Sequence, residues 1–158
     1  MKKANSAHEI TVLERNRPDD AFGWGVVFSD QTLGNFQAAD PETHAEIEAS
    51  FAHWDDIDVH IGGRTLASGG HGFTGIARKR LLNILQLRAA GLGVELRFQS
   101  SVRDDAELPH LGLPGAALVI AADGINSVIR RKYAAHLKPD LDVRTAKQEA
   151  GWMGAELE

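Results

Sequence analysis

Residues 116–121 read AALVIA, an unbroken apolar run that passes through Ala122, Asp123 and Gly124 into INSVIRR. A run of this length, closed by an Asp-Gly turn and followed by a helix-compatible segment, has the form of a strand buried on both faces. Such strands belong to parallel sheets covered by helices. Ligands of those sheets bind where strands end and helix N-termini aim amide hydrogens outward. In that setting Asp123 is placed to accept from ribose or ribityl hydroxyls. Gly124 lets the backbone approach a pyrophosphate, and Ser127 and Arg130 orient or pair with phosphate. The same residues also fit an ordinary strand-to-helix turn with an Asp cap.

The rest of the chain supplies the other parts of an α/β fold. His8–Leu13, HEITVL, reads as a strand closing in the polar loop Glu14-Arg15-Asn16-Arg17-Pro18. Pro41–Trp54 reads as a helix, with Asp40 as N-cap and Pro41 at the first helical position. Asp58–Ser68 alternates on both sides of Gly62-Gly63, the form of a two-residue hairpin. Ala77–Ala90 sets Leu81, Leu82, Ile84, Leu85 and Leu87 at helical spacing and stops at Gly91. Val94–Phe98 alternates as a strand, Ile125–Leu137 reads as a helix, and Asp104–Gly115, with two prolines, reads as a linker. The expected fold is therefore α/β, with a mainly parallel sheet and one antiparallel hairpin.

Charge narrows the partners. Seventeen Lys and Arg against 22 Asp and Glu give a formal net charge of −5. Nucleic acids and anionic membranes both require a concentrated basic face, so neither is an expected partner. No segment approaches the roughly 18 consecutive apolar residues of a membrane span. The absence of cysteine excludes disulfides, thiolate metal sites and cysteine nucleophiles, and fits a reducing compartment, with the cytoplasm as the expectation. The seven histidines, His53 and His60 among them, form no HExxH and no tight acidic spacing, so no metal site is expected. Ser29 and Ser68 lack a nucleophile-elbow context. His71, between glycines in GGHGF, suits either a structural or a catalytic place. Trp24, between Gly23 and Gly25, suits either core packing or the edge of a ligand site.

Two further residues carry chemistry. A carboxylate at a strand end, such as Glu14, can accept both hydroxyls of a ribose, and it can equally be a solvated acid beside Arg15 and Arg17. Arg78 opens an R-x-x-L-x-x-x-L helix. An arginine in that first turn opposes the helix dipole at a cost of a few tenths of a kcal/mol, roughly, unless an anion compensates.

Taken with ADGINSVIRR, the stretches ITVLERN, FGWGVVFSDQTLGN, DDIDVHIGGRT, SGGHGFTGIARKRLLNIL and GVELRF resemble the flavoprotein aromatic hydroxylases, group A monooxygenases that use FAD, NAD(P)H and oxygen. The resemblance is strongest to members acting on salicylyl-CoA and 2-aminobenzoyl-CoA, and it runs from about His8 to Arg144. It implies a partial Rossmann-like FAD-binding domain over residues 1–144, followed by a divergent tail over 145–158. It also implies FAD as cofactor, NAD(P)H as co-substrate and an aromatic acyl-CoA as substrate. By the same resemblance Asp123, Gly124, Ser127 and Arg130 lie along the flavin pyrophosphate and ribose, Glu14 with its neighbour Arg15 at the adenosine ribose, and Arg78 at the flavin phosphate or ribityl chain. It assigns no catalytic residue.

Two of the family's motifs lie outside this sequence: the GxGxxG turn that lets a helix N-terminus meet the pyrophosphate, and a distal Gly-Asp pair. The expectation is accordingly a fragment of such an enzyme that binds FAD weakly or not at all by itself. A different class of reading, a non-catalytic fragment or interaction module, stands beside it.

Overall fold

The structure is a computed structural model that describes residues 1–136 of the chain. The expected divergent tail at 145–158 and the end of the resemblance near Arg144 lie outside the described residues. The chain divides into two compact units, Met1–Ser101 and a second beginning at Val102.

Three small sheets build the first unit. Strands β1 (Thr11–Leu13) and β7 (Glu95–Arg97) pair in parallel, Thr11 opposite Glu95 and Leu13 opposite Arg97. Strands β2 (Gly25–Ser29), β6 (Phe73–Ala77) and β3 (Ala52–Trp54) form an antiparallel sheet with β6 in the middle. Strands β4 (Ile57–Ile61) and β5 (Arg64–Ser68) form the expected hairpin. Its turn, Gly62-Gly63, has φ of +56° and +72°, the left-handed pair that a two-residue turn matching strand twist demands. The parallel pair and the antiparallel strands bear out the expected α/β class.

Helices α1 (Asp30–Ala39), α2 (Pro41–Glu48) and α3 (Arg78–Gly91) cover one face of the β2-β6-β3 sheet. There Leu33, Ile47, Ile76, Leu81 and Ile84 form the core, with Val26, Phe28, Phe36 and Phe51 packed against it. Ile47 is fully buried. Alternation along the strands sends Val27, Phe73, Gly75 and Trp54 to the opposite face, which no described helix of the first unit covers. Asp40 joins the helices: it is C-cap of α1 and N-cap of α2. Its carboxylate accepts from Arg88 at 2.8 and 2.9 Å, Thr43 at 2.7 Å and Lys3 at 2.9 Å. The Arg88 guanidinium, above all, holds this carboxyl well below the usual carboxylate range.

Several sequence expectations are corrected. The helix expected over Pro41–Trp54 ends at Glu48, and Ala52–Trp54 pairs with β6 instead. Ala45 and Ile47 remain in the helix, and sheet pairing prevails over helix propagation only beyond its C-cap Ala49. The strand expected over His8–Leu13 is cut to Thr11–Leu13 because its partner β7 offers only three residues. The strand expected over Ala116–Ala121 is not formed, and Leu118, Val119 and Ile120 are 63 %, 49 % and 68 % exposed. A strand of that kind needs a hydrogen-bonded neighbour and a layer on each face, and none pairs with these residues among the described ones.

The helix expected from Ile125 is the shorter α4 (Val128–Lys132), followed by a 3₁₀ turn at Ala134–His136. The expected linker at Asp104–Gly115 contains a 3₁₀ helix, Asp105–Leu111, capped by Asp104 and ended at Gly112. Lys132 ties Asp104, at 2.6 Å, and Asp105 to α4, and Tyr133 donates to Asp105. Among the described residues no helix is long and apolar enough to cross a membrane.

Candidate functional site

Glu14 follows the last residue of β1, at the carboxyl ends of the two parallel strands. Its backbone is locked there: its N–H donates to Arg97 O at 2.9 Å and its carbonyl accepts from Ser100 N at 2.9 Å. Oε1 accepts from the Asn16 amide and side chain at 2.8 and 2.7 Å, which turns the chain sharply after the strand. Oε2 carries no hydrogen bond among the described residues. The half-buried carboxylate is thus held in one orientation, with one oxygen committed to the fold and one presented outward. Arg15, beside it, is exposed.

Sequence reasoning passed over Gln99, which follows β7 at the same sheet end. Its φ of +55° is the one positive value at a non-glycine residue in the described chain. The strain is held by Gln99 N donating to Asn16 O at 3.1 Å, in the turn that Glu14 organises. Nothing in the pattern FQSS marks that conformation, since glycine and asparagine are its ordinary signals.

Arg78 is the first residue of α3. Its N–H donates to Trp24 O at 3.1 Å, which seats the Gly23-Trp24-Gly25 turn against the helix start, and the Trp24 indole is fully exposed. No side chain caps this helix. Three cations, Arg78, Lys79 and Arg80, crowd its first turn, against the dipole. Lys79 pairs with Asp19 at 3.7 Å and Arg80 with Glu46 at 3.3 Å. Arg78 has no ion pair among the described residues, and its guanidinium lies beside Gly23. This side chain is available to an external anion.

In the second unit Asp123, Gly124, Ser127 and Arg130 come together, but their polar atoms turn onto the chain itself. Asp123 Oδ2 accepts from Val128 N at 2.9 Å, and Ser127 Oγ accepts from Arg130 N at 2.9 Å. The Ser127 hydroxyl and these helix-start amides hold the Asp123 carboxyl below its ordinary range. Arg130 donates to the carbonyls of Gly124 and Ile125. Ser127 is 4 % exposed, whereas Asp123 lies in the open. Gly124, at φ +77°, has open space where a side chain would be. A shallow cleft of about 320 Å³ runs past Ala121, Gly124, Ser127, Ile129, Arg130 and Tyr133. Ser127 is the N-cap of α4, with Asp123 bonded to the first amide of that helix, and α4 with five residues offers no anion site of its own.

No family model matches the chain. Over 147 residues, 93 % of its length, it is 45 % identical to a salicyloyl-CoA 5-hydroxylase of Streptomyces sp, of which it covers 28 %. Over 158 residues it is 32 % identical to a 3-hydroxy-4-methyl-anthranilyl-(aryl-carrier protein) 5-monooxygenase of Streptosporangium sibiricum, covering 41 % of that protein. Among solved structures, the tetrameric form of 2-methyl-3-hydroxypyridine-5-carboxylic acid oxygenase superposes with a TM-score of 0.69 at 17 % identity, over 82 % of this chain and 36 % of the other. That likeness shows the fold. The chain therefore spans well under half the length of the relatives it matches, and the resemblance to aromatic hydroxylases drawn from its motifs is borne out by both sequence relatives.

Proposed function

We propose that this chain, a relative of aromatic-ring monooxygenases, forms part of the cofactor cradle of an FAD-dependent enzyme that hydroxylates an aromatic ring carried as a thioester. The observation that carries the reading is Glu14, whose outward Oε2 stands at the joined ends of two parallel strands, where such sheets bind nucleotides. Oε2 accepts a ribose hydroxyl of the adenosine, and Gln99, whose left-handed backbone is tied to Asn16 O at the same sheet end, adds an exposed side-chain amide as donor and acceptor. Arg78, without a carboxylate partner among the described residues, pairs with a cofactor phosphate and so relieves the charge conflict at the start of α3. When bound and reduced by NAD(P)H, the flavin supplies the oxygen-transfer chemistry, and the protein binds, orients and shields it.

The substrate class follows from what the relatives' names share. Salicyloyl-CoA and a carrier-bound hydroxy-anthranilyl group both hold a hydroxyl on an aromatic ring. We extend that hydroxylated ring to this chain, with coenzyme A or a carrier protein as the thioester handle and a reducing cytoplasm as the setting. A specific observation favours the second reading, a module that does not hold FAD by itself: Asp123, Ser127 and Arg130 spend their polar atoms on their own turn.

Titration of the 158-residue chain with FAD, followed by amide NMR, separates the two. The cofactor reading expects weak, saturable shifts at Asn16, Gln99 and Ser100. It also expects Glu14→Gln to weaken binding about tenfold, the worth of one hydrogen bond to a charged acceptor. The absence of saturable shifts at those amides would establish the module reading instead, and saturable binding left unaltered by Glu14→Gln would remove Glu14 from the site.

A further inference from the structure

In side-chain size, residues 116–122 read alike in both directions: Ala-Ala-Leu-Val-Ile-Ala-Ala, with two small residues on each side of three large ones. Val119 is the centre. All seven residues are exposed, and their backbone joins no sheet among the described residues. A glycine in the left-handed region closes each end, Gly115 at φ +72° and Gly124 at φ +77°, where a strand cannot continue. The segment thus has a set length and an open edge.

A two-fold interface needs a surface that complements itself, so that when one residue meets another the reverse contact forms as well. In an antiparallel pair of two copies centred on Val119, each valine faces its own counterpart. Leu118 then faces Ile120, Ile120 faces Leu118, and the alanines face alanines. The leucines and isoleucines of both copies fall on one face of the ribbon, and the two valines on the other. A slip of one residue sets alanine against leucine or isoleucine, so the size pattern selects the register.

Charge selects the direction. Asp123 is the one charged residue between 112 and 129. The antiparallel pair sets it opposite Gly115, whereas parallel addition in register would set it opposite itself, and like charges directly opposite are destabilising. Growth beyond two strands is opposed as well. A third copy would lie parallel to the first about two strand spacings away, roughly 10 Å. Helix α4 starts at Val128, and a helix with its side chains is about 10–12 Å wide, so alternate copies of α4 would crowd each other.

We propose that residues 116–122 form a two-fold antiparallel strand pair between two copies of this chain, centred on Val119. The pair needs neither flavin nor substrate. Its interface is far smaller than the roughly 1,600 Å² of stable complexes, and dissociation is expected at about 10–100 µM.

Sedimentation of the 158-residue chain at concentrations on either side of that value is expected to show monomer and dimer in reversible exchange, without larger species. Ile120→Asp sets a carboxylate opposite Leu118 on both sides of the axis and is expected to weaken the dimer at least tenfold, roughly, with an unchanged melt because Ile120 is exposed. Since the chain has no cysteine, Leu118→Cys, Val119→Cys and Ile120→Cys each add a single thiol whose oxidation reports the register. Only at position 119 do like residues face each other. At 118 and 120 the two thiols lie on a diagonal of about 7–8 Å, beyond the reach of a disulfide. Val119→Cys is expected to form the disulfide dimer at least tenfold, roughly, faster than the other two. A monomer throughout, larger species in place of the dimer, a dimer undiminished by Ile120→Asp, or equal cross-linking at the three positions overturns the proposal.

Discussion

Ile47→Ala lowers the stability of the first unit by about 3 kcal/mol, the middle of the range for truncating a large aliphatic side chain in a core. Ile47 is fully buried, on the face that α2 turns toward α1, α3 and the sheet. The core around it consists of few residues, so little mass can collapse into the space left by the lost carbons. For a unit of this size the loss corresponds to a fall in melting temperature of roughly 12–24 °C. Leu87→Ala on α3, 71 % exposed, is the matched control and leaves the melt nearly unchanged. A scan that finds the two variants equally stable would show that the helices do not close over this sheet face.

Asp40→Ala has the next largest expected effect, about 2 kcal/mol at pH 7. One carboxylate serves the bidentate Arg88, Thr43 and Lys3 at the junction of two helices, and hydrogen bonds to ionised groups contribute about 1.5–3 kcal/mol. The pH dependence has a definite sign. The fold keeps Asp40 ionised below its ordinary value of 3.8, so on acidification the unfolded chain takes up this proton first. The contribution is complete above about pH 4 to 5 and is lost progressively as the pH falls below that. Urea melts at pH 7, 4, 3 and 2.5 should show wild type losing its advantage over Asp40→Asn across the acidic points. A constant gap between the two proteins would refute the assignment.

What the sequence made legible, and what it did not, follows from the range of the forces involved. The Gly62-Gly63 hairpin and the Arg78–Gly91 helix are specified by neighbours within a few residues, and both stand almost where the pattern puts them. Strand β3 could not be read, because Ala52–Trp54 becomes a strand only by meeting β6 some twenty residues later. AALVIA shows the same dependence from the other side: its pattern states what it would do between partners, and no partner strand pairs with it among the described residues. At the candidate site, Glu14 could be picked out because a carboxylate after a strand is visible in one line of text. The committed Oε1 and outward Oε2 could not, since Asn16 decides them. Gln99 gave no signal at all, its left-handed backbone being imposed by the turn opposite.

The open segment from Ala116 to Ala121 also governs how this chain behaves in concentrated solution. Six consecutive apolar residues, three of them large and exposed, whose backbone joins no sheet among the described residues, are a template for open-ended intermolecular strand addition. The residues that flank it oppose that outcome: Pro114 and Gly115 before it and Asp123 and Gly124 after it are poor strand formers, and the Asp123 charge repels its own image in a stacked copy. Colloidal stability of the chain therefore depends on four flanking residues, and a change that neutralises Asp123 would lower solubility more than the loss of one charge from −5 suggests.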